Sequence, residues 1–431
     1  MDTYGREFVF VYPPNNSGSS GVKATLNIIN PDTKRHAIIT VEYPEFHSID
    51  DKITAIRRTT TLHVKVLSTV LFEFNRSVIL DSISNGLHSY EDARIVVHSS
   101  VLVSLLAHNE DATGARDSFL VLPISMAGNH YAFALPASAL SGSTFIYLMP
   151  TIPTPVQRIT LSLIREASSC ACSHIVQRGK MLVFRSSGEN ITLRADSDDT
   201  FVIVAAVLEL PTVKGSNVSD FGCFMPSAVP VTDCSKLLVQ EEHVAPLLTG
   251  KYYLLTMPSA ECESAEISIQ GVNKIINWKR LIPSLADISN LIAFNEYGNM
   301  AAISTIIMLN VIRYGGYSVG MLNYEEGAYL HEVPAISQFI SGMIPVIVPS
   351  DSNQITVIAD HKAMSSAYFD GEISLSFAPL PFLNGSFYYA SGTVPSGFHF
   401  FYADGLYLVF VSGRINNSAY GFIPAFNSKP S

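Results

Sequence analysis

The chain has 431 residues, 48% hydrophobic and 15% charged, and its 27 basic and 37 acidic side chains give a net charge of −10. At ~150 residues per core the length provides about three cores, and the apolar content excludes global disorder. An acidic chain with no basic face does not suit a phosphate backbone, which excludes nucleic acid as a partner.

The first residues, Met1 to Glu7, carry two acids and no apolar stretch, so they do not read as a signal peptide. Segments of period two then follow at Val22–Ile29, Ala37–Glu42, Arg94–His98, Val101–Leu106, Phe119–Leu122 and Gln157–Leu163. Ala265–Ile269, Ile355–Ile358, Tyr368–Phe377 and Tyr407–Val411 continue the pattern. All are rich in β-branched and aromatic residues and bounded by Gly, Pro, Asn or Asp, as half-buried strands are. Asp370-Gly371 suits the positive φ angles of a type I′ hairpin turn. Only Ile282–Phe294 has a helical period, with Leu285, Ile288, Leu291 and Ile292 on one face. The longest apolar run, Ala301–Ile312, falls short of the ~18 residues of a membrane span and is broken by Ser304, Thr305 and Asn310. The fold class predicted is all-β.

A nine-residue pattern recurs. Gly5-Arg-Glu-Phe8-Val-Phe10-Val-Tyr-Pro13 is echoed by Gly128-Asn-His-Tyr131-Ala-Phe133-Ala-Leu-Pro136, and again by Gly250-Lys-Tyr-Tyr253-Leu-Leu255-Thr-Met-Pro258, at spacings of 123 and 122 residues. Each copy reads as a strand entered through a Gly turn and halted by a Pro that cannot donate to the ladder. A looser fourth copy starts at Gly342 and ends at Pro349. These echoes predict tandem antiparallel β modules over residues 1–127, 128–249 and 250–431, the last with a partial fourth repeat. Sandwich-type modules fit the strand count; a closed propeller with two blades per repeat is the alternative.

Five cysteines, at 170, 172, 223, 234 and 262, lack the paired spacing of a zinc site. Cys223 and Cys234 flank a Pro-containing loop and are the candidates for a disulfide; the pairing of Cys170, Cys172 and Cys262 stays open. Asn15, Asn75, Asn190, Asn217, Asn384 and Asn416 head glycosylation sequons. Together these features point to an extracellular or secreted location, with the chain a segment of a larger precursor.

Candidate chemistry is thin. Gly316-Tyr317-Ser318-Val319-Gly320 matches the nucleophile elbow, but that motif needs a helix to follow, and the next residues have no helical periodicity. Asp196-Ser197-Asp198-Asp199 lacks the Gly and distal Glu of a calcium loop and reads as a solvated hairpin turn. Glu241-Glu242-His243 lacks zincin spacing. No catalytic, cofactor-binding or metal residue is assigned, and the chain is not read as an enzyme. Tyr4, Tyr317 and Tyr324 are read as exposed contact residues.

The order of motifs resembles the IgGFc-binding protein N-terminal domain family. Carrying the resemblance are Gly5-Arg6-Glu7-Phe8-Val9-Phe10, Ile95-Val96-Val97 with Val101-Leu102-Val103, and Asp117-Ser118-Phe119-Leu120-Val121-Leu122-Pro123 running into Gly128-Asn129-His130-Tyr131. Later come Asp370-Gly371, Gly385-Ser386-Phe387-Tyr388, Gly397-Phe398-His399, Gly413 and Tyr420-Gly421. The chain lacks that family's signal peptide, and no following Gly-Asp-Pro-His module is present. The resemblance implies recognition or adhesion, with immunoglobulin Fc, a mucus component or another glycoprotein as the partner. A structural module of a coat or matrix is the alternative, and a serine hydrolase built on Ser318 a second one.

Overall fold

The computed structural model describes residues 1–15, 22–49, 52–139, 142–151, 156–165, 168–212, 219–230, 244–248, 252–256, 266–271, 274–279, 289–293, 299–304, 309–319, 324–371 and 373–429. Strands make up 67% and helix 5%, the strands lie in antiparallel sheets, and the all-β class holds.

Four modules repeat one theme: an opening strand, a long strand and a closing strand. In module I these are Gly5–Phe10, Ile95–Glu110 and Arg116–Val121; in module II, Gly128–Leu135, Ile191–Leu210 and Asp220–Phe224. Module III uses Tyr252–Thr256, Asn310–Val319 and Tyr324–Glu332, and module IV uses Ile340–Val348, Gly397–Ile415 and Ser418–Phe422. In each, the opening and closing strands both pair with the long one. The long strand outruns a single flat sheet, so its two halves serve different neighbours. In module I the first half lies between the opening strand and Ala37–Ile49, and the second between the closing strand and Lys23–Asn30. In module I the expected sandwich is thus one sheet folded along its long strand.

Several sequence expectations change here. The fourth copy is complete, not partial: residues 340–422 carry a full set of opening, long and closing strands. Gly86–Glu91, within the first expected module, adds an edge strand to the sheet of module II. The acidic run Asp196–Asp199 is not a hairpin turn, because Ile191–Leu210 is one strand with a register shift between Asp196 and Phe201. Polar residues at that bend face two sheets at once, and their composition mimics a turn. Of the expected helix, Ser289–Ala293 is a strand paired with Tyr252–Thr256; residues 282–288 and 294 lie outside the described residues. An α-helix forms instead at His361–Ser366, where the Asp360 carboxylate accepts from the Ala363 N–H at 2.7 Å.

The echoed aromatics occupy matching sites. Phe8, Tyr131 and Tyr253 are buried in their opening strands. Both tyrosine hydroxyls accept from a preceding turn amide, Gly128 for Tyr131 and Leu248 for Tyr253. Tyr131 also donates to the Phe201 carbonyl at 2.6 Å, tying the opening strand to the far half of the long strand. Tyr131→Ala should therefore cost about 3–5 kcal/mol and Tyr131→Phe about 0.5–1.5 kcal/mol. Denaturant unfolding measures both; equal costs would show that the hydroxyl, not ring packing, holds the strand.

Candidate functional site

The four closing strands meet one another in cyclic order, I–II–III–IV and back to I, and build an axis. Gly327 sits on it at φ +65°, where a Cβ would collide with Ala419 and the Asp220 carboxylate, so this approach requires glycine. Two fully buried acids replace ladder bonding at the centre. Asp117 of module I accepts from the amides of Ser118 (2.7 Å), Cys223 (3.0 Å), Leu330 (3.3 Å) and Gly421 (3.4 Å). Asp220 of module II accepts from Arg116 (3.0 Å), Phe221 (2.9 Å), Ala328 (2.9 Å) and Ala419 (2.8 Å). Each carboxylate thus reaches all four closing strands. Burial outweighs these donors: it pushes Asp220 up to about 7 and Asp117 well above the carboxylate range, with Asp220's charge adding to the rise of Asp117.

Around the axis the modules are locked by further polar pairs, one of them buried. Lys429 and Glu332 meet at 3.0 Å with both side chains almost fully buried, and the other Glu332 oxygen accepts from the Ser227 amide. The Asp2 carboxylate accepts from the Ser428 amide and hydroxyl, and Thr3 donates to the Phe426 carbonyl, so modules I and IV are tied together.

The expected site residues distribute unevenly. Cys223 is a free, fully buried thiol in the closing strand of module II, and its pKa is driven up by burial. The expected Cys223–Cys234 bridge is therefore not formed at Cys223, because strand alternation turns that side chain into the core; Cys234 and Cys262 lie outside the described residues. Asn15 is buried, donating to the Ala115 carbonyl at 3.0 Å, and cannot carry a glycan in this fold. Asn75, Asn190, Asn384 and Asn416 are exposed, and Asn217 falls outside the described residues. Ser318 stands on the exposed side of the module III long strand, in register with Glu325. Tyr4 is half-buried with its hydroxyl enclosed, Tyr317 packs under Arg414, and the Tyr324 side chain and Glu241–His243 lie outside the described residues.

Two motifs of the family resemblance do converge. His399 bonds the Asp370 carboxylate at 2.6 Å and the Pro395 carbonyl at 2.8 Å, while Asp370 also accepts from the Phe400 amide. The pair clamps the Asp370-Gly371 hairpin onto the long strand of module IV. Sequence reading missed a second polar chain, in which Asn27, His108 and Ser118 join through contacts of 2.7 Å each. Burial lowers His108 to about 4, so the neutral ring bridges the strands. Ser118 is buried, and the chain ties three strands together. Among the described residues, no group of three or more His, Cys, Asp or Glu is arranged to hold a metal, and no helix is long and apolar enough to cross a membrane.

A concave feature that opens to solvent lies under the hairpin Ala37–Ile49/Lys52–Val64. Pairing of this hairpin with the long strand stops at Glu42, two residues before Pro44. Beyond that point the hairpin projects, held by Tyr43 packing on Phe72 (5.9 Å) and Phe74 (5.3 Å). Beneath it runs the turn Arg76–Val78, capped by the Asn75 side chain, which accepts from the Ser77 amide. Val78, Ile79 and Leu80 anchor that turn in the core. Between hairpin and turn is a cleft of about 450 Å³ whose walls include Phe46, His47, Asn75, Arg76, Ser77 and Asp81. Arg76 and Asp81 face each other at 3.6 Å, both part-exposed. The cleft thus offers a ring, a guanidinium, a carboxylate, an amide and a hydroxyl in one space.

No protein-family model and no curated protein sequence matches this chain.

The axial acids generate a pH test. Unfolded, Asp220 ionises near its ordinary 3.8; folded, near about 7. Its contribution to stability is full below the lower value and is lost as pH rises to the upper, about 4 kcal/mol for three units. His108 works in the opposite sense, losing stability as pH falls from 6.5 to about 4. The difference between wild type and Asp220→Asn isolates the acid: the stability deficit of the variant should widen from pH 7 to pH 4. A deficit constant with pH, read from denaturant unfolding, would mean that Asp220 is ionised throughout.

Proposed function

We propose that the protein is an extracellular recognition or adhesion module and that the cleft under the module I hairpin receives a glycan or a glycan-bearing protein. The observation that carries this reading is the cleft's wall. One half-buried aromatic ring stands beside an Arg–Asp pair, an amide and a hydroxyl. A sugar presents an apolar C–H face and a rim of hydroxyls, and each hydroxyl both donates and accepts. Phe46 suits the apolar face, Asp81 accepts, Arg76 donates, and Ser77 does both. The four exposed sequons and the resemblance to the IgGFc-binding N-terminal domain support the same setting, in which immunoglobulin Fc or a mucus glycoprotein is the ligand class.

Binding to a glycan array, together with retention of Fc or mucus glycoproteins from a secretion, tests the proposal. Phe46→Ala and Arg76→Ala should each weaken the captured interaction by about ten-fold or more, about 1.4 kcal/mol, with unchanged melting temperature. Absence of any glycan or glycoprotein ligand, or full binding by both variants, contradicts it.

A further inference from the structure

Strand edges of this protein are guarded unequally. The edge strand of module I, Lys52–Val64, exposes Arg57 and Arg58, charges that discourage pairing with another chain. The corresponding edge of module II is Ser168–Gln177, ten residues with no charged side chain and no proline. It pairs on one side with Val156–Arg165 in unbroken register and, among the described residues, ends the sheet on the other. Ala171, Ser173, Ile175 and Gln177 are exposed, alternating with the more covered Cys172, His174 and Val176. On the exposed face Ile175 is 58% and its diagonal neighbour Val156 55% accessible, the former second only to Leu71 at 60% among the large hydrophobics of the described residues. A straight edge with no charge of its own, flanked by the exposed side chains of Ile175 and Val156 with Arg158 and Gln177 as their cross-strand partners, is a template for β-augmentation.

We infer that this edge is a dimerisation surface, and that its occupant is the same strand of a second copy, antiparallel about a two-fold axis perpendicular to the sheet. The charge pattern selects the occupant. A chain of net charge −10 can bring together two copies most readily where neither carries charge, and Ser168–Gln177 is such a stretch. The strand itself offers a charged peptide no counter-charge; exposed cations nearby include Arg158, opposite Ile175 on the neighbouring strand, and Arg178, just past the strand's end. The two-fold axis keeps each sheet face on its own side. It therefore sets the Ala171, Ser173, Ile175 and Gln177 row against itself and places Val156 of each copy on the shared strip. One isologous contact satisfies both open edges and closes at two copies.

Sedimentation velocity of the full chain under reductant, from about 1 to about 100 µM, tests this; the reductant keeps cystine cross-links out of the result. Wild type should pass from monomer to dimer over that range. The double variant Ser173→Lys/Ile175→Lys should raise the dissociation constant at least about ten-fold, and Ile175→Val should leave it unchanged. Hydrogen exchange of wild-type amides 171–177 should slow as concentration rises, a readout that does not depend on any variant folding. A monomer at every concentration, a dimer indifferent to the two lysines, or edge amides whose exchange ignores concentration would each overturn the inference. None of these outcomes bears on glycan binding at the module I cleft.

Discussion

Two buried carboxylates set the arrangement of everything else. Asp117 and Asp220 sit where four closing strands converge, and between them they accept eight backbone amides drawn from all four modules. Four strands meeting at one axis cannot all complete ladders with one another, because each strand already gives one edge to its own long strand. Unpaired amides facing inward would each cost ~1–3 kcal/mol. A carboxyl group at the centre resolves the conflict, since its two oxygens can take several amide donors at once. The cost is desolvation, visible in the raised pKa values of both acids.

From that axis the periphery follows. In modules I, II and IV the long strand leaves the centre and delivers its first half to the outer sheet, where module-specific hairpins attach. Module I attaches the long hairpin that roofs the cleft, module II the hairpin Val156–Gln177, whose outer strand carries no charged side chain, and module IV the short Tyr368–Ser374 hairpin pinned by His399. The geometry shared by the four modules is therefore central, and the module-specific surface lies outside. The first and last described residues close the ring between modules I and IV through Asp2 and Ser428.

Much of this was legible in the chain. Period-two runs located most strands, and the Gly-x-x-aromatic echo located three opening strands because a buried ring follows a turn in each. The fourth copy was harder: Gly342-Met343-Ile344-Pro345 has no aromatic at the matching place, yet it forms the same strand. Long strands were read in pieces, because Ser99-Ser100 and Asp196–Thr200 at their bends resemble turns by composition. The axial acids were invisible for a related reason. An Asp beside a strand ordinarily marks a turn, and nothing local distinguishes one that accepts amides from residues more than 200 positions away, as Asp117 does from Leu330 and Gly421 (|i−j| 213 and 304). Cys223 looked like a loop staple because the strand boundary at Phe224 was not anticipated. The cleft joins residues 46–47 with 75–82, a pairing fixed only by how far the hairpin projects past Pro44.

Native-state hydrogen exchange at the amides of Cys223, Leu330, Ala419 and Arg116 measures the axis directly. These donors lie on the closing strands of modules II, III, IV and I, and all four bond to the two acids. If the acids unite the modules, the four amides should share one opening free energy, equal to that of global unfolding, and should lose protection together with added denaturant. Four separate opening energies, each following its own module, would show that the modules are independent units and that the axis does not hold them together.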